Sequence, residues 1–204
     1  GHIVLIAGDD RAQVTVKHTK NLESSLLDSL ADFAEANTVE LVLEDKKGAF
    51  RVIHSIGSDV DTTPHENVPS LTLSTVQTLS ITPAPNDFIQ INKVVNQKMI
   101  EQALEWLAPK SEERIADWFS GLGNFTLPIA KTGAQVQAIE GVADMVRRAQ
   151  HNAQQQGIDN ITWLHLDLAN HENVQTSLKQ GVDKVLLDPS REGALTVCHA
   201  LVKA

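Results

Sequence analysis

A chain of 204 residues with 42% hydrophobic residues holds enough apolar material for one large or two small packed domains. Its formal charge of −9 argues against a broad nucleic-acid-binding surface, which needs clustered Lys and Arg to neutralise phosphates, so any RNA contact is expected to be local. A single cysteine, Cys198, excludes an internal disulfide, a four-cysteine zinc site and a protein-ligated iron–sulfur cluster within this chain. No apolar run approaches the roughly 20 residues of a membrane helix, and the N-terminus lacks the blocks of a signal peptide. The expectation is a cytoplasmic protein with no membrane partner. Gly1-His2 stands directly before an apolar run, and the last segment stops inside a helical pattern at Ala204, so the chain is expected to be a piece of a longer protein.

In chain order, Ile3 to Ala7 and Ala12 to Val16 read as strands of a hairpin turned by Gly8-Asp9-Asp10. From Asn21 to Ala36, Leu22, Leu26, Leu27, Leu30, Phe33 and Ala34 recur at helical spacing, which predicts an amphipathic helix against a small sheet. Val39 to Glu44 and Ala49 to Ile56 flank Asp45-Lys-Lys-Gly48 as a second hairpin, with the glycine where positive φ is needed. Ser58 to Ser70 reads as a loop holding Pro64 and Pro69, and Leu71 to Ile81 as one strand before the break at Pro83-Ala-Pro85. Residues 1–85 are therefore expected to form a small α+β domain.

Asp87 to Asn92 reads as extended, with Asn92 available to cap a helix that carries Val94, Val95, Met99, Ile100, Ala103, Leu104 and Leu107. A regular alternation follows from Arg114, with strands ending near 118, 140, 166 and 188 and helices at about 124–131, 143–156, 171–179 and 193–204. Gly157 is placed as the C′ glycine of the second of these helices. Such alternation predicts a parallel α/β sheet, Rossmann-like and partial, over residues 86–204. Its open edge is a candidate surface for association.

Ligands of an open parallel sheet bind beyond the carboxyl ends of its strands. Four polar features are predicted there: Gly121 to Asn124, Glu140, Asp167 and Asp188. Taken singly, each acid is also an ordinary N-cap or solvated loop residue. The four in register point to a nucleoside site. Gly121 and Gly123 let a ligand approach the backbone, and Glu140, nineteen residues after Gly121, is spaced to accept ribose hydroxyls. Thr126 stands where a dinucleotide fingerprint has its third glycine, which tilts the cofactor from NAD towards S-adenosylmethionine. Asp188-Pro-Ser-Arg191 is a rigid turn that holds Asp188 at the cleft. Trp106, Trp118 and Trp163 are expected in the core, Arg191 on the surface, and Cys198 as a buried structural thiol.

With these residues the sequence resembles the 23S rRNA (uracil-5-)-methyltransferase family. The matching stretches are Asp87 to Asn92, Asp117 to Pro128, Ile139-Glu-Gly141 and Lys184 to Arg191, with Ser120 where the family commonly has cysteine. The resemblance implies a Rossmann-like S-adenosylmethionine-dependent methyltransferase domain at 86–204, preceded by the family's central domain at 1–85. It implies that Gln90, Phe119, Asn124, Glu140, Asp167 and Asp188 line the cofactor site, and that the full-length protein acts on 23S rRNA. In the family a cysteine on a later loop adds to C6 of the uracil, C5 takes the methyl group, and a late carboxylate removes the C5 proton. That cysteine, that base, the RNA-binding OB-like domain and the iron–sulfur cysteines are not in this chain, which is therefore expected to be inactive alone. The readings held against it are a methyltransferase acting on an exocyclic amine from the Asp188-Pro-Ser loop, and a non-catalytic nucleotide-binding module.

Overall fold

The computed structural model describes residues 1–56, 71–76, 78–85 and 87–203. The chain divides into two compact units, one of Gly1–Leu73 with Thr82–Asp87 and one of Ser74–Ile81 with Phe88–Ala204. Among the described residues no helix is long and apolar enough to cross a membrane.

The first unit holds β1 (His2–Ala7), β2 (Ala12–Lys17), α1 (Ser24–Asn37), β3 (Val39–Glu44) and β4 (Phe50–His54). β1 and β2 pair antiparallel, as do β3 and β4, whereas β2 and β3 are parallel. The predicted hairpins are therefore joined by α1 as a crossover. Ala34, Leu41 and Leu43 form the buried centre, with Leu22, Leu27, Leu30 and Ile53 packed on it. α1 starts three residues after Asn21, and its Leu26 and Phe33 are exposed, so fewer of the periodic residues reach the core than the pattern predicts. Glu40 is wholly buried, where it accepts hydrogen bonds from Arg11 (3.0 Å) and Gln13 (3.2 Å), as a buried carboxylate requires. Gly48 has φ 82° at the second turn. The loop predicted for Ser58 to Ser70 lies outside the described residues.

Leu71 to Ile81 is not one strand but two short ones, β5 (Leu73–Ser74) and β6 (Ser80–Ile81). Thr75 donates its backbone N–H to Leu79 at 2.7 Å, and Thr78 takes φ 64°. Consecutive Thr75 and Val76 are both buried, which a strand with strict alternation does not allow.

The second unit continues with α2 (Lys93–Leu107), β7 (Arg114–Trp118), α3 (Thr126–Lys131), β8 (Gln135–Glu140), α4 (Ala143–Gln155), β9 (Ile161–His165), α5 (His171–Leu178), β10 (Lys184–Leu187) and α6 (Leu195–Leu201). Asn92 caps α2 by accepting from the Val95 N–H, as its sequence position predicts. Gly157 (φ 65°) ends α4 in a Schellman turn, with Gly157 N–H donating to Gln154 and Ile158 N–H to Ala153.

The sheet is parallel, in the order β10-β7-β8-β9. Val174 of α5 and Val197 and Ala200 of α6 join Ala116, Trp118 and Ile139 of the sheet in one buried cluster. α3 and α4 pack on β8, and α4 also on β9. The strand order reverses between β7 and β10, and ligand crevices open beyond the carboxyl ends at such a switch point.

Of the tryptophans, Trp118 is fully buried with its indole N–H satisfied by Gln137 (2.9 Å). Trp163 is half-buried, and Trp106, 77% exposed, corrects the core expectation. It lies in the last turn of α2, on a face that the packed positions Asn96 and Ile100 do not share. Cys198 is likewise exposed rather than buried, because on α6 the inward positions are Val197 and Ala200.

Candidate functional site

Parallel register brings the carboxyl ends of three strands level. Leu187, Trp118 and Ile139 are matched across β10, β7 and β8, so one step further Asp188, Phe119 and Glu140 form a row at the switch-point edge. Glu140 itself is paired with His165 of β9. A row of polar and aromatic side chains on a rigid sheet edge is what a nucleoside needs: hydroxyl acceptors beside an apolar wall.

Phe119 begins the loop with φ 69°, a left-handed conformation costly for a non-glycine residue. The N–H groups of Phe119 and Ser120 both donate to the Ile139 carbonyl, at 2.9 and 3.0 Å, which holds the turn against β8. Phe119 packs against the same buried cluster as Trp118.

The two glycines of the turn are needed for different reasons. Gly121 has φ 55°, and an added Cβ would meet only the Met145 methyl at 3.7 Å. Gly123 has φ 90°, and an added Cβ would lie 3.1 Å from the Trp163 ring and 3.4 Å from Leu127. Gly123→Ala is therefore expected to lower stability by roughly 2–4 kcal/mol, from strain plus overpacking, against about 1 kcal/mol for Gly121→Ala. Urea unfolding of the two variants measures the difference, and equal midpoints would remove the steric role of Trp163.

Glu140 is half-buried and tied to the turn: one oxygen accepts the Gly121 N–H and the other the Val142 N–H, both at 3.0 Å. Each carboxylate oxygen keeps a lone pair for a hydroxyl group. His165 Nε2 lies 3.1 Å from the Gly141 carbonyl, which can only accept, so this nitrogen carries a proton. Asn124 is joined to Asn96 of α2 by a pair of side-chain hydrogen bonds. Asp188 is exposed as a residue, yet partial desolvation of its carboxyl raises its pKa above the ordinary value. Gln90 is half-buried just ahead of α2, and its side chain makes no hydrogen bond among the described residues. Asp167 is exposed and accepts from the Ala169 N–H at 2.8 Å, the local loop role that any acid at a strand end can take. Phe119, Gly121, Glu140 and Asp188 thus share one edge, while no hydrogen bond joins Asp167 to the others.

Asp117, inside β7, was not legible as a site residue. It is 1% exposed, and one carboxylate oxygen accepts from the Thr126 hydroxyl at 2.5 Å while the other has no partner among the described residues. Burial pushes its pKa up to about 7; the Thr126 bonds oppose the rise, and the charges of Asp188 and Glu140 add to it. The Ser120 hydroxyl, three residues on, is buried and equally unpartnered. One signal was present in the sequence: an acid in the middle of the apolar run Ile115-Ala-Asp-Trp118.

The strand order, the glycine turn and the acids along the switch-point edge define the class as a Rossmann-like methyltransferase fold. Pyrococcus abyssi tRNA (uracil-54, C5)-methyltransferase, solved in complex with S-adenosyl-L-homocysteine, aligns over 98% of this chain and 46% of its own with a TM-score of 0.69 at 18% identity. The M. jannaschii tRNA m1G37 methyltransferase aligns over 96% of this chain and 54% of its own, with a TM-score of 0.57 at 11% identity. Within that class, the model of the tRNA (uracil-5-)-methyltransferase family matches residues 70–195, and the chain belongs to this family. The 23S rRNA (uracil(1939)-C(5))-methyltransferase of Alteromonas mediterranea is 65% identical over all 204 residues, which span 40% of that protein. The enzyme of the same name from Shewanella sp. strain ANA-3 is 37% identical, with 44% of its length covered. The chain thus spans less than half the length of these curated relatives.

Proposed function

We propose that the protein to which this chain contributes transfers a methyl group from S-adenosylmethionine to C5 of a uridine in 23S rRNA. The names of the 65% and 37% identical relatives support the reaction and the RNA partner. The observation that carries the cofactor is Glu140, anchored by two backbone N–H groups beside Gly121, with lone pairs left for a ribose. The residues present fit this group. Gln90, Phe119, Gly121, Asn124, Glu140, Asp167 and Asp188 are proposed to hold it, and the Ser120 hydroxyl, without a partner among the described residues, leaves polar capacity in the same turn. The cofactor supplies the transferable methyl on its sulfonium. The chain's own residues orient the adenosine along the sheet edge and exclude water beneath the turn.

Residues 1–85 are proposed as the family's central domain and 86–204 as the first part of the methyltransferase domain. The protein is read as cytoplasmic, where its RNA partner is made. β10 ends the sheet order, and its outer edge is proposed as a pairing surface for a further strand or a partner chain. Cys198 lies within α6, not on a loop beyond a strand end, so it is not read as the nucleophile. The chain alone is expected to leave RNA unmethylated.

Mass spectrometry of 23S rRNA nucleosides after treatment with the full-length protein is expected to show 5-methyluridine. A methyl group on an exocyclic amine would instead favour chemistry from the Asp188-Pro-Ser loop. A folded protein that fails to bind S-adenosylhomocysteine would point to a non-catalytic module.

A further inference from the structure

We propose that Asn96 is a positioning residue of the cofactor site, clamping the segment that carries Gln90 to the glycine turn through a reciprocal amide pair with Asn124. This rests on the cofactor reading above and assigns a role to a helix residue that no strand-end pattern singles out.

Asn96 Nδ2 donates to Asn124 Oδ1 at 2.9 Å, and Asn124 Nδ2 donates back to Asn96 Oδ1 at 2.8 Å. Asn96 is 8% exposed and sits in the first turn of α2, where its own backbone N–H is bonded to Asn92 at 2.8 Å. The cap at Asn92 ties that turn to the residues just before it, two positions from Gln90. Asn124 lies at the far end of the turn that holds Phe119 and Gly121. One amide pair thus links the two walls of the site.

A side-chain amide has two donor hydrogens and an oxygen with two lone pairs. The pair uses one donor and one lone pair of Asn124, which leaves one N–H and one lone pair with their directions fixed. With Asn96 truncated, the Asn124 amide is free to rotate and the helix loses its polar tie to the turn. Outer partners that orient a ligand-binding side chain are worth roughly tenfold or more in affinity where they have been measured, at metal sites.

The test is calorimetry with S-adenosylhomocysteine on the full-length protein and its Asn96→Ala, Asn124→Ala and doubly substituted variants. Asn96→Ala is expected to weaken binding roughly tenfold, yet less than about twofold when Asn124 is already alanine. Asn96→Asp, which can still accept from Asn124 but cannot donate, is expected to fall between. Wild-type affinity in Asn96→Ala, or the same tenfold loss in both backgrounds, overturns the proposal. If Asn96→Ala does not fold, Asn96→Asp in the two backgrounds carries the same readout.

A second readout needs no ligand. The Asn124 side-chain amide hydrogen bonded to Asn96 is expected to exchange slowly with solvent in the wild-type protein and fast in Asn96→Ala. Fast exchange in both removes the amide pair itself. A folded wild-type protein that shows slow exchange but binds no S-adenosylhomocysteine instead overturns the cofactor reading, and the positioning role with it.

Discussion

Glu140→Ala is expected to weaken S-adenosylhomocysteine binding by roughly two to three orders of magnitude. Hydrogen bonds to a charged group are each worth about 1.5–3 kcal/mol, and Glu140 is proposed to accept two from a ribose, so at the lower part of that range about 3–4 kcal/mol is lost. Part of any effect comes from the turn, because the same carboxylate holds the Gly121 and Val142 N–H groups. Glu140→Gln keeps only one of the two turn bonds. Its amide oxygen can accept from the Gly121 or the Val142 N–H but not both, its NH2 faces the other donor, and it lacks the charge. Calorimetry is expected to place it close to the alanine variant in affinity, with thermal stability below wild type. Affinity within a few-fold of wild type in both variants would move the ribose site away from Glu140.

Asp117→Asn is expected to stabilise the protein above neutral pH. The folded pKa of about 7 stands above the unfolded reference of 3.8, so between these values the folded state holds a proton that the unfolded chain has released. Stability therefore falls as pH rises from about 4 to about 7 and is level above that, by roughly 4 kcal/mol in the limit of full burial. Asparagine cannot ionise and removes this slope. It also brings an NH2 group to the unpartnered oxygen's position, where a buried donor without an acceptor costs about 1–3 kcal/mol. The expected net gain at pH 8 is about 1–2 kcal/mol, with a loss of similar size at pH 4. Urea midpoints of both proteins across pH 4 to 8 measure it. Parallel pH profiles would show that Asp117 is not the titrating group.

The buried oxygen that makes Asp117 unfavourable for stability lies in β7, two residues before the strained Phe119 and three before Ser120 with its buried hydroxyl. Such local violations within residues 117–120 are of the kind that collects where a fold carries a site, next to the proposed cofactor edge. Core positions such as Ile115, Leu127 and Ile139 show no such conflict.

Most strands and helices were legible because their signals are local: alternation at Val14 and Val16 in β2, period 3.6 in α1, an Asn cap on α2 and a glycine after α4. The alignment of Glu140 and Asp188 at the carboxyl ends of their strands was legible for the same reason, since a parallel sheet puts every strand's carboxyl end on one edge. The single strand read over Leu71 to Ile81 failed because the left-handed Thr78 carries no glycine to announce it. Trp106 and Cys198 failed because an apolar side chain on a short amphipathic helix does not reveal which neighbour, if any, covers it.

The amino-acid sequence by itself determined the α/β class, the glycine turn and the acids at the strand ends, all of which follow from short-range backbone preference and side-chain period. Only the tertiary structure decided that β7 sits beside β10, that Asp117 is buried with one oxygen unpartnered, and that Asn96 reaches Asn124 across 28 residues of chain. Burial and partnership depend on what packs against a residue, and a one-dimensional pattern carries no record of that.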